Sequence, residues 1–395
     1  MLDELAARHQ VPGAQLVVRR GGATTASAVG VAADAAFPLG SVTKPVTAMA
    51  VLALVADGDL DLDDSLAEHL GPAHRHRTLR QLLSHTAGLP ATLREEDETL
   101  TRARWAARFD DEAFPPGAQF SYSNPGYVLA GHLVELVTGM GWAEAVTAIV
   151  LEPLGITPAF VARTGEREVV LGHTVRSGET AVLLDGPQAP PIEDPAGGLA
   201  LSAADVVALL DADVKGMCED QLAGAAVGSF GLADGWGLGW ARYQSWWGHD
   251  GTGDGTSAHV RFDPGTGDAV VLTANAGTGP ELWRSVLEGL AAQGIEVGDH
   301  PFSSLPGAGD PVAPPAGSTG RYVNGTLTLD VTTTPDGLAL ALDGKPYAGL
   351  TCFSGHRFLA RELTSARTAY TGRFVTGPGD AVTHVQISGR LSRKL

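Results

Sequence analysis

The sequence has 395 residues, 44% of them hydrophobic, and a formal net charge of −18 at pH 7. Such an acidic chain is poorly suited to bind nucleic acid or anionic membrane surfaces, both of which attract basic patches. The hydrophobic content argues against disorder, and the length predicts one large domain with a smaller one attached. We therefore expect a globular protein whose partners are small molecules or peptides. The sequence leaves its oligomeric state open.

The start of the chain and the spacing of its cysteines indicate where in the cell the protein is found. The first nine residues lack the basic start and apolar core of a signal peptide. No stretch approaches the roughly 20 apolar residues of a membrane-spanning helix. The two cysteines, Cys218 and Cys352, are far apart and form no metal or redox motif. These features predict a cytoplasmic protein with reduced thiols.

The chain begins with a predicted helix over residues 3–10 and a hairpin of two strands, 14–19 and 24–31, that turns at Gly21 and Gly22. Residues 46–55 are almost all apolar and predict a helix buried on every side. Pro45 fits only near the start of that helix, where the backbone donors have no intrahelical partner.

Ser41 and Lys44 stand three residues apart at this helix start and should share one face. A serine hydroxyl is a poor nucleophile unless a neighbouring base takes its proton. A lysine in a dry pocket is such a base, because burial lowers its pKa. Taken alone, however, the pattern is more typical of a helix cap followed by a surface lysine.

Three histidines, His69, His74 and His76, follow in a short stretch. A metal site needs a full set of converging ligands, and no cysteine or fourth histidine completes one here. Arg75 and Arg77 also oppose a cation. We predict a solvated loop and no metal.

The middle of the chain contains a predicted helix over residues 78–89, a loop over 114–127 and a second helix over 128–137. The loop is rich in proline and glycine and carries Tyr122 and Asn124. A loop that holds polar side chains rigidly is a common place for function. In isolation the two residues fit equally well a helix cap with an aromatic staple.

A glycine-rich segment over residues 245–256 precedes two predicted strands, 257–262 and 269–274, and a helix over 281–293. It is no dinucleotide-binding loop, which would lie between a strand and a helix. Its glycines instead let a backbone edge approach a ligand closely.

The C-terminal part divides into a linker and a small domain. Residues 300–318 contain five prolines and predict a linker between domains at 1–299 and 319–395. Alternating stretches at 326–332 and 338–342 predict that the last domain is all β. A glycosylation sequon at Asn324 is ascribed to chance.

Three short blocks stand in this order along the chain: Ser41-Val42-Thr43-Lys44, Tyr122-Ser123-Asn124 and His249-Asp250-Gly251. They resemble the S-x-x-K, Y-x-N and K/H-x-G motifs of serine hydrolases related to class C β-lactamases and low-molecular-weight penicillin-binding proteins. Further matching blocks are residues 82–89, 116–117, 197–199 and 272–275. The resemblance covers about residues 1–290. It implies an α+β fold, with an antiparallel sheet flanked by helices, and a small lipocalin-like β domain such as some members carry.

The same resemblance implies roles for the motif residues. Ser41 would attack an acyl carbon, while Lys44 and Tyr122 would exchange its proton and Tyr122 would protonate the departing group. Asn124 would orient the substrate amide and Lys44. No cofactor or metal is implied.

Further implied roles fall on the third block and its neighbours. The backbone N–H groups of Ser41 and Thr252 would stabilise the oxyanion, and Asp250 and Gly251 would bind substrate. His249 stands where lactamases carry lysine. Because a neutral histidine offers less positive charge near pH 7, recognition of a β-lactam carboxylate is in doubt.

Several functions share one acyl-enzyme at Ser41. One is an esterase or amidase that passes an ester, thioester or amide acyl group to water. A second is a transacylase or peptide-cyclising enzyme of a secondary-metabolite (antibiotic) pathway, in which an amine replaces water. The lack of an export signal favours both over a D-alanyl carboxypeptidase or a β-lactamase. A non-catalytic acyl-binding or sensor protein is disfavoured by the intact motifs.

Overall fold

The computed structural model describes residues 1–162, 167–176, 179–182, 190–222, 233–300, 305, 309–335, 337–363 and 369–395. The α-helices in these ranges are α1 (Leu2–Arg8), α2 (Thr43–Ala56), α3 (Ala67–Leu70), α4 (Leu79–Leu83), α5 (Arg102–Ala106), α6 (Asn124–Thr138), α7 (Trp142–Val146), α8 (Asp194–Gly197), α9 (Ala203–Leu209) and α10 (Gly279–Ala291). The strands before the linker are β1 (Ala14–Arg20), β2 (Ala23–Val29), β3 (Phe37–Pro38), β4 (Ala159–Phe160), β5 (His173–Arg176), β6 (Glu179–Val182), β7 (Leu199–Leu201), β8 (Gly235–Trp236), β9 (Ala241–Tyr243), β10 (Trp246–Gly253), β11 (Thr256–Phe262) and β12 (Ala269–Ala274). The strands after it are β13 (Gly320–Asn324), β14 (Leu327–Thr334), β15 (Gly337–Leu342), β16 (Lys345–Phe353), β17 (Arg357–Glu362), β18 (Ala369–Thr376), β19 (Val382–Ile387) and β20 (Arg390–Lys394).

An antiparallel sheet joins the two ends of the larger part of the chain. Within the described ranges it has seven strands in the order β2-β1-β12-β11-β10-β9-β8. The early hairpin therefore pairs with a late strand, with Ala14 opposite Ala274. Helices cover both faces, so the α+β architecture expected from the sequence is confirmed.

The two faces of the sheet are covered by different helices. On one face, Leu272 packs with residues of α1 and α10. On the other, Val271 and Val260 belong to the large core that includes α2 and α6. Successive residues of a strand point to opposite faces, so a strand covered on both sides reads as an unbroken apolar run. The β12 strand is buried throughout for this reason.

The expected small β domain is a closed barrel. Strands β13 to β20 pair in chain order, and β13 pairs back with β20, with Val323 opposite Arg393. Tyr322, Phe358 and Phe374 fill its interior. Closure leaves none of these strands with an unpaired edge. In the predicted linker, residues 301–304 and 306–308 lie outside the described residues, and the domain boundaries stay a prediction.

Two helices near the predicted loop differ from the sequence expectation. The helix expected over residues 78–89 ends at Leu83, and His85 takes a positive φ of 58°, which a helix cannot continue through. Helix α6 begins earlier than expected, at Asn124 inside the predicted loop. Ser123 caps it by accepting from the Gly126 N–H at 3.3 Å, and Pro125 is tolerated in the first turn.

One further strand was not predicted, and one other prediction was wrong in part. The glycine-rich segment contains a regular strand, β10, which pairs with β9 on one side and β11 on the other. His74 is not solvated but buried, with its Nδ1 3.4 Å from Nη1 of Arg77. Among the described residues, no single helix is long and apolar enough to cross a membrane. The bent pair Asn124–Thr138 and Trp142–Leu154 is long and apolar enough when its two parts are taken together. The angle between the two parts is 80°.

Candidate active site

The turn that carries Ser41 is pressed against strand β10. Ser41 lies in the 3₁₀ turn Gly40–Val42, which runs directly into α2. A Cβ on Gly251 would overlap the carbonyl oxygen of Leu39, and a Cβ on Gly40 would lie 2.8 Å from the backbone N of Thr252. Gly40 also has a φ of +50°. Glycine at both positions therefore allows the backbone amides of Ser41 and Thr252 to come close together.

Lys44 lies one turn along α2, and its side chain is fully buried. Its Nζ is 3.0 Å from Ser41 Oγ and donates to the carbonyl oxygen of Ala196 at 2.8 Å. Burial lowers the pKa of Lys44 to about 7, with Glu193 opposing the change and Arg390 adding to it. A large fraction of Lys44 is therefore neutral near pH 7, with a lone pair beside the Ser41 hydroxyl.

Tyr122 is buried on the other side of Lys44, with its ring centroid 5.0 Å from Nζ. The ring of His85 packs against that of Tyr122, with 4.2 Å between the centroids and an angle of 31° between the ring planes. Burial raises the pKa of Tyr122 well above its usual value, while the Ser41 hydroxyl and the charge of Arg390 act against that rise. Tyr122 is thus a protonated hydroxyl at neutral pH.

His249, on β10, lies beside Tyr122 with 6.1 Å between the two ring centroids. Its Nδ1 is 2.7 Å from the backbone oxygen of Asp250. Since a carbonyl only accepts, Nδ1 carries the proton and Nε2 is an acceptor. Burial, with Lys44 as the next cause, lowers the pKa of His249 to about 3. This position therefore supplies an uncharged hydrogen-bond acceptor where a lysine would supply a positive charge.

Asn124 and Ser41 line a cavity of about 190 Å³. The residues around it are Pro38, Gly40, Ser41, Asn124, Val161, Pro190, Glu193, Ala196, Gly197, Thr252, Gly253 and Asp254. The Asn124 Nδ2 donates to Glu193 Oε2 at 3.4 Å. The expected contact between Asn124 and Lys44 is absent among the described residues, since Lys44 is held by Ser41 and Ala196 instead.

Asp250, expected to bind substrate, points away from this cavity. Its two carboxylate oxygens accept from Arg261 at 3.0 and 2.9 Å, and one of them is 2.8 Å from His259 Nδ1. Asp299 binds the other side of the fully buried Arg261. Neighbouring strand residues face opposite ways, so His249 reaches the site and Asp250 cannot. The network anchors β10 from behind.

Three residues of the site were missed by sequence reasoning in different ways. His85 belongs to the matching block at 82–89, so a signal was present, but no role was assigned to it. Glu193 gave no signal beyond its position shortly before Gly197. Arg390 gave none, because it comes from the barrel, where its guanidinium carbon lies 5.7 Å from the centroid of the Tyr122 ring.

The chain is similar in sequence to known proteins. The sequence model described as Beta-lactamase matches residues 1–293. Penicillin-binding protein 4 of Amycolatopsis lactamdurans is 30% identical over 341 residues, which are 73% of this chain and 88% of that protein.

Solved structures extend the likeness to the whole chain. The crystal structure of SurE superposes with a TM-score of 0.86 at 37% identity, covering 100% of this chain and 97% of SurE, and a second SurE structure was solved with D-Leu. A D-stereospecific amidohydrolase from Streptomyces sp. superposes with a TM-score of 0.59 at 25% identity, covering 72% of this chain and 96% of that one.

Proposed function

The chain belongs to the beta-lactamase family of serine hydrolases, and from this premise we propose that it forms an acyl-enzyme at Ser41 and passes the acyl group to water or to an amine. The family resemblance drawn from the three motifs is thereby confirmed. The observation that carries the proposal is the 3.0 Å separation of Ser41 Oγ from the buried Lys44 Nζ. It supplies a nucleophile and a base in direct contact.

In the proposed acylation, Ser41 Oγ attacks the carbonyl carbon of the donor while its proton passes to neutral Lys44. The oxygen of the tetrahedral intermediate is stabilised by the backbone N–H groups of Ser41 and Thr252. Loss of one such donor costs about 3 kcal/mol in the transition state. When the bond to the leaving group breaks, Tyr122 gives that group a proton and recovers one from Lys44.

In the proposed second half-reaction, the acceptor attacks the acyl-enzyme and Ser41 Oγ departs with a proton. Water or an amine is a suitable acceptor, provided that it loses a proton on the way. The Nε2 of His249, an uncharged acceptor beside Tyr122, supports a neutral amine, whose N–H it can accept as a hydrogen bond. The proton that the amine loses on attack passes through Tyr122 and Lys44 to the departing Ser41 Oγ. We therefore propose amine transfer alongside hydrolysis.

We propose a donor whose acyl group is a D-amino acid residue held as an ester, thioester or amide. The support is that one relative was solved with D-Leu and another is a D-stereospecific amidohydrolase. A D-alanyl carboxypeptidase reaction is a second candidate, supported by the likeness to penicillin-binding protein 4. Turnover of β-lactams is disfavoured, because His249 offers no positive charge to their carboxylate.

A fluorophosphonate probe tests the nucleophile. Wild type and a Ser27→Ala control, which alters an exposed serine of β2, should be labelled, and Ser41→Ala should not. Labelling of Ser41→Ala, or no labelling of wild type, would contradict the proposal. Mass analysis of products from a D-alanyl ester, with and without added amines, separates hydrolysis from transfer; hydrolysis alone with every amine would count against transfer.

A further inference from the structure

We propose that Glu193 and the Oδ1 atom of Asn124 form a subsite for a protonated amino group on the acyl donor, beside Ser41. The inference rests on the proposed acyl-enzyme and narrows its substrate class to donors with a free amine near the reacting carbonyl. Both groups line the cavity that contains Ser41.

The orientation of the Asn124 amide is set by Glu193. An ionised carboxylate only accepts hydrogen bonds, so the amide must turn its Nδ2 toward Glu193 Oε2, 3.4 Å away. That leaves Oδ1 as the other end of the amide. This oxygen is buried and has no hydrogen-bond partner among the described residues. A buried acceptor without a donor is unfavourable, and a ligand N–H would satisfy it.

Glu193 is also incompletely satisfied. Asn124 is its one hydrogen-bond donor in the described ranges, and no described cation forms an ion pair with it. Burial raises the pKa of its carboxyl, and the charge of Lys44 opposes this only in part. A cation bound against Glu193 would stabilise the ionised form.

The two acceptors together match an ammonium group. An ammonium has three N–H donors and a positive charge, so it can donate to Oδ1 and to the carboxylate at once. The cavity, at about 190 Å³, is smaller than the roughly 300–1,000 Å³ of sites for drug-sized ligands. It therefore fits a group of about one amino-acid residue.

The position of the subsite assigns it to the donor. The described residues around the cavity include Asn124 and Glu193 but neither Tyr122 nor His249. In the proposed mechanism, Tyr122 protonates the leaving group and His249 contacts the acceptor. The amino group bound by Glu193 is therefore on the acyl side of the bond that is cleaved.

The test compares three p-nitrophenyl esters that differ only at one position: D-alanyl with a free ammonium, N-acetyl-D-alanyl with an amide N–H, and propionyl with neither. Wild type should show a kcat/KM for the D-alanyl ester about 10-fold or more above the other two, the difference expected from a charged hydrogen bond. In Glu193→Gln this preference should fall to about 2-fold or less. In Glu98→Gln it should persist, because Glu98 is exposed and acts on Glu193 only through its charge.

Equal rates for the three esters in wild type, a preference for the N-acetyl ester, or an undiminished D-alanyl preference in Glu193→Gln would each overturn the subsite. Circular dichroism and a melting curve confirm that Glu193→Gln is folded. Different results refute the subsite and the proposed function. Absence of fluorophosphonate labelling would refute the acyl-enzyme, whereas labelling without a D-alanyl preference would refute only the amino subsite.

Discussion

The backbone N–H of Tyr122 donates to the carbonyl oxygen of Gly389, 2.9 Å away, so the loop before α6 is tied to the last hairpin of the barrel. Asn324 reinforces the same seam. Its side chain accepts from the Ala91 N–H at 2.8 Å and donates to the Leu391 oxygen at 2.7 Å. The barrel therefore helps to hold a residue of the candidate site.

The first prediction concerns this seam. Asn324→Ala leaves a buried donor and a buried acceptor without partners, so we expect a loss of about 1–3 kcal/mol in the free energy of unfolding and slower labelling of Ser41. Denaturant titration and labelling rates measure both. Thr326→Ala is the matched control, because it also removes the sequon but alters an exposed residue. Equal behaviour of the two variants would show that the seam is unimportant.

The second prediction concerns the pH dependence of acylation. Neutral Lys44 is the base, and its pKa is lowered to about 7. The labelling rate of Ser41 should therefore rise about tenfold per pH unit below 7 and level off above it. The pKa of His249 lies near 3 and that of Tyr122 well above its usual value, so neither titrates in this window.

A substitution of Lys44 tests whether this residue is the base. Lys44→Arg should lose the reaction at every pH, because an arginine stays charged, whereas Lys345→Arg, on the exposed surface of the barrel, should keep the wild-type profile. A flat profile between pH 5 and 9 in wild type would contradict the assignment of Lys44 as the base.

The third prediction concerns Gly251. An alanine there would overlap the Leu39 carbonyl oxygen and separate the Ser41 turn from β10. Displacing one oxyanion donor lowers kcat by about 100-fold or more. Ester hydrolysis by Gly251→Ala measures this, with Gly349→Ala as control, since that barrel glycine has open space around its Cβ position. Wild-type kcat in a folded Gly251→Ala would refute the proposed contact.

The fourth prediction separates a buried from an exposed arginine pair. Arg261→Leu removes a fully buried counter-ion from Asp250 and Asp299, whose side chains are 21% and 15% exposed. Breaking such a pair costs up to about 3–5 kcal/mol. Arg321 makes a comparable bidentate contact with Asp330, but on the surface. Arg321→Leu should leave the melting temperature nearly unchanged. Similar melting temperatures for the two variants would show that the anchor behind β10 is dispensable.

Local patterns in the sequence were sufficient to predict the contact between Ser41 and Lys44. Ser41 and Lys44 are three residues apart on one helix, so their contact needs no knowledge of the remaining fold. The almost unbroken apolar run of α2 also predicted that this helix is buried, although Met49, Leu52 and Val55 are only partly buried. Tyr122 and His249 were placed beside them only through the family motifs, because nothing in their own surroundings predicts that they meet.

The features that the sequence did not predict depend on long-range packing. Strand β10 was not predicted. Glycine disfavours strands, but pairing with β9 and β11 supplies hydrogen bonds that outweigh this preference. Asp250 was assigned to substrate because its motif neighbours are, and only the strand geometry turns it toward Arg261. Glu193 and Arg390 enter the site through tertiary contacts that have no local signature.

The close approach of Gly40 and Gly251 also bears on how such a protein diversifies. At that contact the Ser41 turn and β10 meet through main-chain atoms, which substitutions elsewhere do not alter. The cavity wall, by contrast, is made partly of side chains, among them Val161 and Glu193. Mutation of the wall can therefore change the accepted acyl group while the reactive core stays constant. A single ancestral scaffold of this kind can give rise to descendants with different substrates and one shared chemistry.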